Sequence, residues 1–214
     1  MSLSLPAAER RAWIRERLDP LSRAPPDPAA IRHAHEFIKG AFQPSNEPAA
    51  LAAVLVALVE RPDGLTVLLT TRPDHMRSHA GQIAFPGGRA DPGESPAETA
   101  LREAEEEIGL PRDQVTLAGL GTPYATGGGY LIVPVVGFVP PDLPLRPNPG
   151  EVADIFETPL EFLMDPANHV EHQIQAQTGE TIVTLAMPWE DRFIWGATAQ
   201  MLRLLHERLF GPAP

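Results

Sequence analysis

At 214 residues with 43% hydrophobic content, the chain is long enough to bury the core of one domain with room for decorations. Cysteine is absent, which excludes disulfides, zinc–thiolate sites and a cysteine nucleophile and fits a cytoplasmic protein, while a net charge of −11 argues against a general nucleic-acid binder. No run of about 18 apolar residues and no basic-then-apolar leader is visible, so neither a membrane span nor a signal peptide is expected. A polyanionic small ligand stays open, because local arginines and a divalent cation override the global field.

In chain order, residues 5 to 19 predict a first helix with Trp13, Ile14 and Leu18 at helical spacing. Asp27-Pro28 then predicts the start of a second, whose Ile31, Ala34, Phe37, Ile38 and Ala41 share a face. Together these make a helical extension over residues 1–45, packed on a main domain over residues 46–214. Ala52 to Glu60 is a continuous apolar run that fits a buried strand, and Arg61-Pro62-Asp63-Gly64 is a turn. Leu65 to Arg72 is its expected hairpin partner. An arginine-bearing loop and a short strand at Gln82 to Phe85 follow.

Residues 87 to 110 hold most of the functional information. Ser95, Pro96 and Glu98 supply a capping side chain, a proline at the first helical position and a capping-box glutamate, and Gly109-Leu110-Pro111 is the matching stop. The predicted helix spans residues 96–108. Ala97, Ala100, Leu101, Ala104 and Ile108 form one stripe facing a core. Glu103, Glu106 and Glu107 gather on another side, with neighbouring Cβ atoms about 5–6 Å apart, whereas Glu98 and Glu105 project elsewhere. Acidic runs are ordinarily solvated faces. Clustered carboxylates repel, however, and their hard oxygens suit Mg²⁺ or Mn²⁺. Gly87 and Gly88, placed where a strand would end, allow close backbone approaches and turn the reading toward a metal-bound phosphate.

Beyond this stretch, Val115 to Gly119 and Tyr130 to Val139 are expected strands, with Pro134 hinting at a bulge or an edge. The intervening TPYATGGGY reads as a flexible hairpin loop and a candidate substrate lid. Residues 140–150 hold five prolines and must form a stiff loop. Glu151 to Thr158 predicts a strand entering a helix at Leu160 to Met164, and Thr181 to Met187 another strand. His169 and His172 lack a third ligand and read as surface histidines. A terminal helix is expected over about Ala197 to Phe210, with Met201, Leu202, Leu205 and Leu209 on its packing face.

Gly88, Glu94 and Arg102-Glu103-Ala104-Glu105-Glu106-Glu107-Ile108-Gly109-Leu110 resemble the Nudix box, the signature of hydrolases that cleave nucleoside diphosphates linked to another moiety. Seven fixed-identity positions agree over 23 residues. Ala104 departs, standing where a larger aliphatic residue is usual. Upstream, Leu68-Leu69-Thr70, Arg72, Arg77, Gly81 and Phe85-Pro86-Gly87-Gly88 are similar to the segment that marks the coenzyme A pyrophosphatase branch. There Pro73 replaces the usual serine or alanine. Trp195-Gly196-Ala197-Thr198 resembles the same branch.

The resemblance implies an α/β fold, a mixed sheet sandwiched between helices. It implies Mg²⁺ or Mn²⁺ held by Glu103, Glu106 and Glu107, with Glu106 a candidate to accept the proton of the attacking water. Arg102 would pair with Glu94 to hold the entry loop against the helix. Glu151, after a proline-rich loop, is a candidate fourth carboxylate. Arg72 and Arg77 would read the 3′-phosphate of the coenzyme, with Gly81, Phe85, Gly87 and Gly88 shaping the substrate site. The leading expectation is a metal-dependent coenzyme A diphosphatase giving 3′,5′-ADP and 4′-phosphopantetheine, with thioesters or oxidised coenzyme A as candidates for the true substrate. The alternatives are the same chemistry on ADP-ribose or NADH, and a nucleotide sensor without turnover. The expected partner is a small molecule, with no nucleic acid and no membrane; a homodimer is left open.

Overall fold

The computed structural model describes residues 5–39, 50–76, 78–175 and 179–211. In chain order the elements are α1 (Ala7–Arg15), β1 (Arg32–His33), β2 (Ala50–Arg61), β3 (Gly64–Thr71), β4 (Ile83–Ala84), β5 (Gly87–Arg89), α2 (Pro96–Ile108), β6 (Thr116–Leu120), β7 (Tyr124–Ala125), β8 (Tyr130–Val139), β9 (Asp154–Pro159), α3 (Leu160–Leu163), β10 (Val170–Gln175), β11 (Thr181–Trp189), β12 (Arg192–Trp195) and α4 (Gly196–Phe210). Among the described residues no helix is long and apolar enough to cross a membrane.

The fold is α/β. Its main sheet is mixed, running β1-β7-β8-β2-β3-β4, with β5 on β2, β6 on β8 and β9 on β3. β2 lies parallel to β8 and antiparallel to β3. Its unbroken apolar run follows from being covered on both faces. Ala53, Leu55, Ala57 and Val59 pack with Ala100, Ala104 and Ile108 of α2. Val54, Val56 and Leu58 belong to the opposite core, with Met187 of β11, Ile194 of β12 and Leu202 and Leu205 of α4. Helix α2 therefore covers one face, and α4 with the small β10-β11-β12 sheet covers the other.

Several elements differ from expectation. The segment after Asp27-Pro28 is not a helix: one 3-10 turn at Pro28–Ala30 leads to β1, which pairs parallel with β7, and a second turn covers Ala34–Glu36. Ala34 is still buried, so the apolar spacing reported contact with the core and not a helical period. Ala41 lies outside the described residues. The first helix is shorter than residues 5–19, and β9 starts at Asp154 and not at Glu151. β10 and β12 were not foreseen; their alternate residues face outward, so neither shows a sustained apolar run. Pro134 is in an interior strand, opposite Val54 and between the ends of β6 and β7, so its missing N–H falls where the neighbouring strand is interrupted.

Candidate active site

Helix α2 is held at both ends. Ser95 and Glu98 form the capping box, and the chain leaves through Gly109 at φ 65°. Beyond it the proline-rich loop folds back on the terminus: the Arg146 N–H donates to the Ile108 carbonyl (2.9 Å) and the Asn148 N–H to that of Glu107 (2.8 Å). Carbonyls that the helix leaves unpaired are thus satisfied by the loop. Glu151, whose N–H donates to Asn148 (3.0 Å), is carried by the same loop into the electrostatic field of Glu103 and Glu107.

Glu107 is 7% exposed and accepts the Gly87 N–H at 3.1 Å. Burial pushes its carboxyl up to about 7, with Glu103 and Glu151 adding to the rise and the Gly87 hydrogen bond and Arg72 opposing it. Glu103 is raised as well, chiefly by burial, against the pull of Arg102. A Cβ on Gly88 would sit 2.6 Å from the Glu103 carboxyl carbon, and one on Gly87 would sit 2.4 Å from the Ala53 carbonyl oxygen. Both glycines are needed for strand β5 to run this close to its neighbours. Glu106 is the exposed member of the trio, its side chain 54% accessible.

Arg102 lies among the carboxylates. Its guanidinium donates to Glu94 (2.8 and 3.0 Å), Glu103 (2.9 Å), Glu106 (3.1 Å) and the Arg89 carbonyl (3.1 Å). Glu94 also accepts from the Asp91 N–H and the Thr99 hydroxyl, both at 2.9 Å. The Arg102 guanidinium, first among these causes, holds the Glu94 carboxyl down at about 2. The expected Glu94–Arg102 pair is therefore present, and it ties the entry loop to the helix.

On the α4 side a cleft of about 540 Å³ opens, lined among others by Arg72, His79, Phe85, Glu107, Tyr130 and Glu151. A larger cavity of about 970 Å³ lies beside Arg11, Glu60 and Arg61, but those groups already pair with one another or with Glu157 and Asp142, and none of the predicted site residues reaches it. Chemistry therefore selects the smaller cleft. Arg72 closes the neck of the loop before β4 through its main chain, bonded to Gln82 (2.9 Å) and Gly81 (3.1 Å). Its Nε is buried with no hydrogen-bond partner.

Phe85 is buried at the cleft, 3% exposed. Gly81 is at φ 67° in the turn outside the lining, and Arg77 lies outside the described residues. Sequence reasoning missed Arg89, His79 and Tyr130. Arg89 directly follows the glycine pair and Tyr130 directly follows the triple glycine, which were the available signals.

Among the described residues no three His, Asp or Glu side chains already converge as a metal cage, because Glu103 and Glu106 are turned onto Arg102. The donor set nevertheless fits a hard divalent cation. Glu103, Glu107 and Glu151 crowd one another, and burial and repulsion already raise Glu103 and Glu107, which a cation would relieve.

Residues 49–177 match the NUDIX domain family. A protein of Yersinia pestis (strain Pestoides F), described as an uncharacterized Nudix hydrolase NudL, is 43% identical over 159 residues, covering 74% of this chain and 79% of that protein. The protein of the same description from Yersinia pseudotuberculosis serotype O:1b matches equally. Among solved structures, the Nudix hydrolase RenU from M. smegmatis aligns with a TM-score of 0.47 at 26% identity, over 58% of this chain and 80% of that one. The NUDIX domain of Shewanella oneidensis NrtR, complexed with ADP ribose, aligns with a TM-score of 0.47 at 20% identity, over 76% and 90%.

Proposed function

The chain belongs to the NUDIX domain family, and from that premise we propose that it hydrolyses the pyrophosphate bond of coenzyme A or a derivative, giving 3′,5′-ADP and 4′-phosphopantetheine. In this reading residues 46–214 form the hydrolase domain and residues 1–45 an extension to it, of which α1 lends Ile14 to the core and β1 joins the sheet beside β7. The observation that carries it is Arg72: a guanidinium with a buried, unpartnered Nε lines the cleft that Glu107 also lines. An arginine so placed is a ready donor to a phosphate oxygen. The upstream segment that contains it supports the coenzyme over other nucleotides.

Nudix hydrolases as a family use divalent cations such as Mg²⁺ or Mn²⁺. Here Glu103, Glu106 and Glu107 would hold the ion, which would neutralise the pyrophosphate oxygens that otherwise repel a nucleophile. The protein's own groups do the remaining work. Glu107 is aimed by the Gly87 N–H. Glu106, the most open of the three, would, as the alternative to ligating the ion, accept a proton from water, and Glu151 would add a fourth carboxylate. Arg102 and Glu94 position the loop without touching the reacting bond. Arg72, together with Arg77, would take up phosphate charge.

The test is turnover of the full chain with Mg²⁺ or Mn²⁺ against coenzyme A, 3′-dephospho-coenzyme A, ADP-ribose and NADH, with products identified by mass and Glu107→Gln as control. Preference for coenzyme A, lost in the control, is expected. A better rate on ADP-ribose or NADH would overturn the substrate and leave the hydrolase. Tight binding without turnover on all four would make the protein a sensor.

A further inference from the structure

Strand register places a second cationic group and an aromatic ring on one face of the cleft. Arg89 of β5 is opposite Ala52 of β2, Ala52 is opposite Ile132 of β8, and Tyr130 is two residues before Ile132. Paired residues share a face, and so do residues two apart along a strand. Arg89 and Tyr130 therefore project from the same side of the sheet, separated by about two strand spacings of roughly 4.8 Å and two residues of rise at about 3.3 Å each. Both line the same cleft as Arg72 and Glu107.

Neither group is used by the fold. Among the described residues the Arg89 guanidinium makes no hydrogen bond or ion pair, only its carbonyl being engaged, by Arg102. Tyr130 is 43% exposed although it sits on a well-fixed backbone: its N–H donates to the Thr126 hydroxyl (3.1 Å) and its carbonyl accepts the Thr126 N–H (2.8 Å). A rigidly mounted, open aromatic face beside a free guanidinium suits a planar base that carries phosphate on its sugar. Arg72 lies within the field of Glu107, one of the carboxylates at which the bond would be cut.

We propose that Arg89 and Tyr130 form the nucleoside subsite, the ring stacking on the base and the guanidinium taking the 3′-phosphate, while Arg72 serves the pyrophosphate. This deepens the coenzyme A reading and rests on it for the identity of the phosphate. It also moves discrimination from the loop before β4 to the rim at β5.

The probes are the two product halves, 3′,5′-ADP and 4′-phosphopantetheine, titrated calorimetrically into the full chain with Mg²⁺ present. Arg89→Ala and Tyr130→Ala should each weaken 3′,5′-ADP by about tenfold, within the range of single stacking or charged contacts, and leave 4′-phosphopantetheine unchanged. Tyr130→Phe should bind as the parent does, and Arg89→Ala should lose the preference for 3′,5′-ADP over 5′-AMP. Unchanged 3′,5′-ADP binding in both alanine variants, or equal weakening of both halves in variants that melt normally, would overturn the subsite. If the parent binds ADP-ribose but not 3′,5′-ADP, the coenzyme reading falls alone. Tyr130→Ala titrated with ADP-ribose, which carries the base but no 3′-phosphate, then decides the stacking ring, weakening upholding it and unchanged affinity removing it.

Discussion

Two arginines of one site are arranged in opposite ways. Arg102 spreads its guanidinium over Glu94, Glu103, Glu106 and a main-chain carbonyl, and its side chain is only 17% accessible. Arg72, in the field of Glu107, has a buried Nε that bonds to nothing. A desolvated donor without a partner costs stability, whereas a satisfied one contributes to it. In the proposed function the first arginine belongs to the scaffold and the second binds the ligand.

The contrast is sharpest in Arg72→Ala. Loss of a preorganised donor to developing charge should lower kcat/KM by about 100-fold or more, near 3 kcal/mol, with the melting temperature unchanged or slightly raised. A large drop in melting temperature would put Arg72 in the same class as Arg102. Arg102→Ala should behave conversely, giving up about 2 kcal/mol in urea unfolding because Glu94, Glu103 and Glu106 lose their common partner, with about a tenfold fall in kcat/KM as the entry loop loosens. Full activity in that variant would separate the clamp from function altogether.

Gly88→Ala probes the space between the two arginines. The added methyl would meet the movable end of Glu103, so stability should fall by only about 1 kcal/mol while kcat drops about tenfold. A stability loss of about 3 kcal/mol or more would show that the backbone and not the carboxylate had shifted.

The smallest effect is the response to acid. Glu94 is depressed from 4.5 to about 2, so its contribution is fully present above the unfolded value and is lost as pH falls from about 4.5 toward 2. Urea midpoints measured across that window should fall more steeply in the parent than in Arg102→Ala, which lacks the cause of the depression. Parallel curves would assign the acid sensitivity to other carboxylates.

What the sequence made legible was local. Helix α2, its caps, its buried stripe and the Glu94–Arg102 pair all lie within 24 residues, where spacing alone decides which side chains meet. The β2–β3 hairpin was readable for the same reason, through the turn at Arg61 to Gly64. Non-local features were not. Arg89 and Tyr130 share a face only because β2 lies between their strands, and Glu151 reaches Glu107 only because the proline-rich loop docks on the end of α2. Residues 27–38 misled for a related reason: burial of Ala34 came from packing and from the pairing of β1 with β7, which overrode the apparent helical period.

The parallel pairing of β2 with β8 sets the order in which a newly made chain can become competent. Every rung joins partners 80 positions apart, from Ala50↔Tyr130 to Val59↔Val139. Such ladders close late and slowly, because a long loop must lose its freedom before the first contact forms. A ribosome-bound fragment ending at Gly129 would already contain every glutamate of α2 and both Arg72 and Arg89, yet would lack the wall carrying Tyr130, Ile132 and Glu151. The carboxylates exist early in synthesis, and their cleft arrives with the second half of the chain.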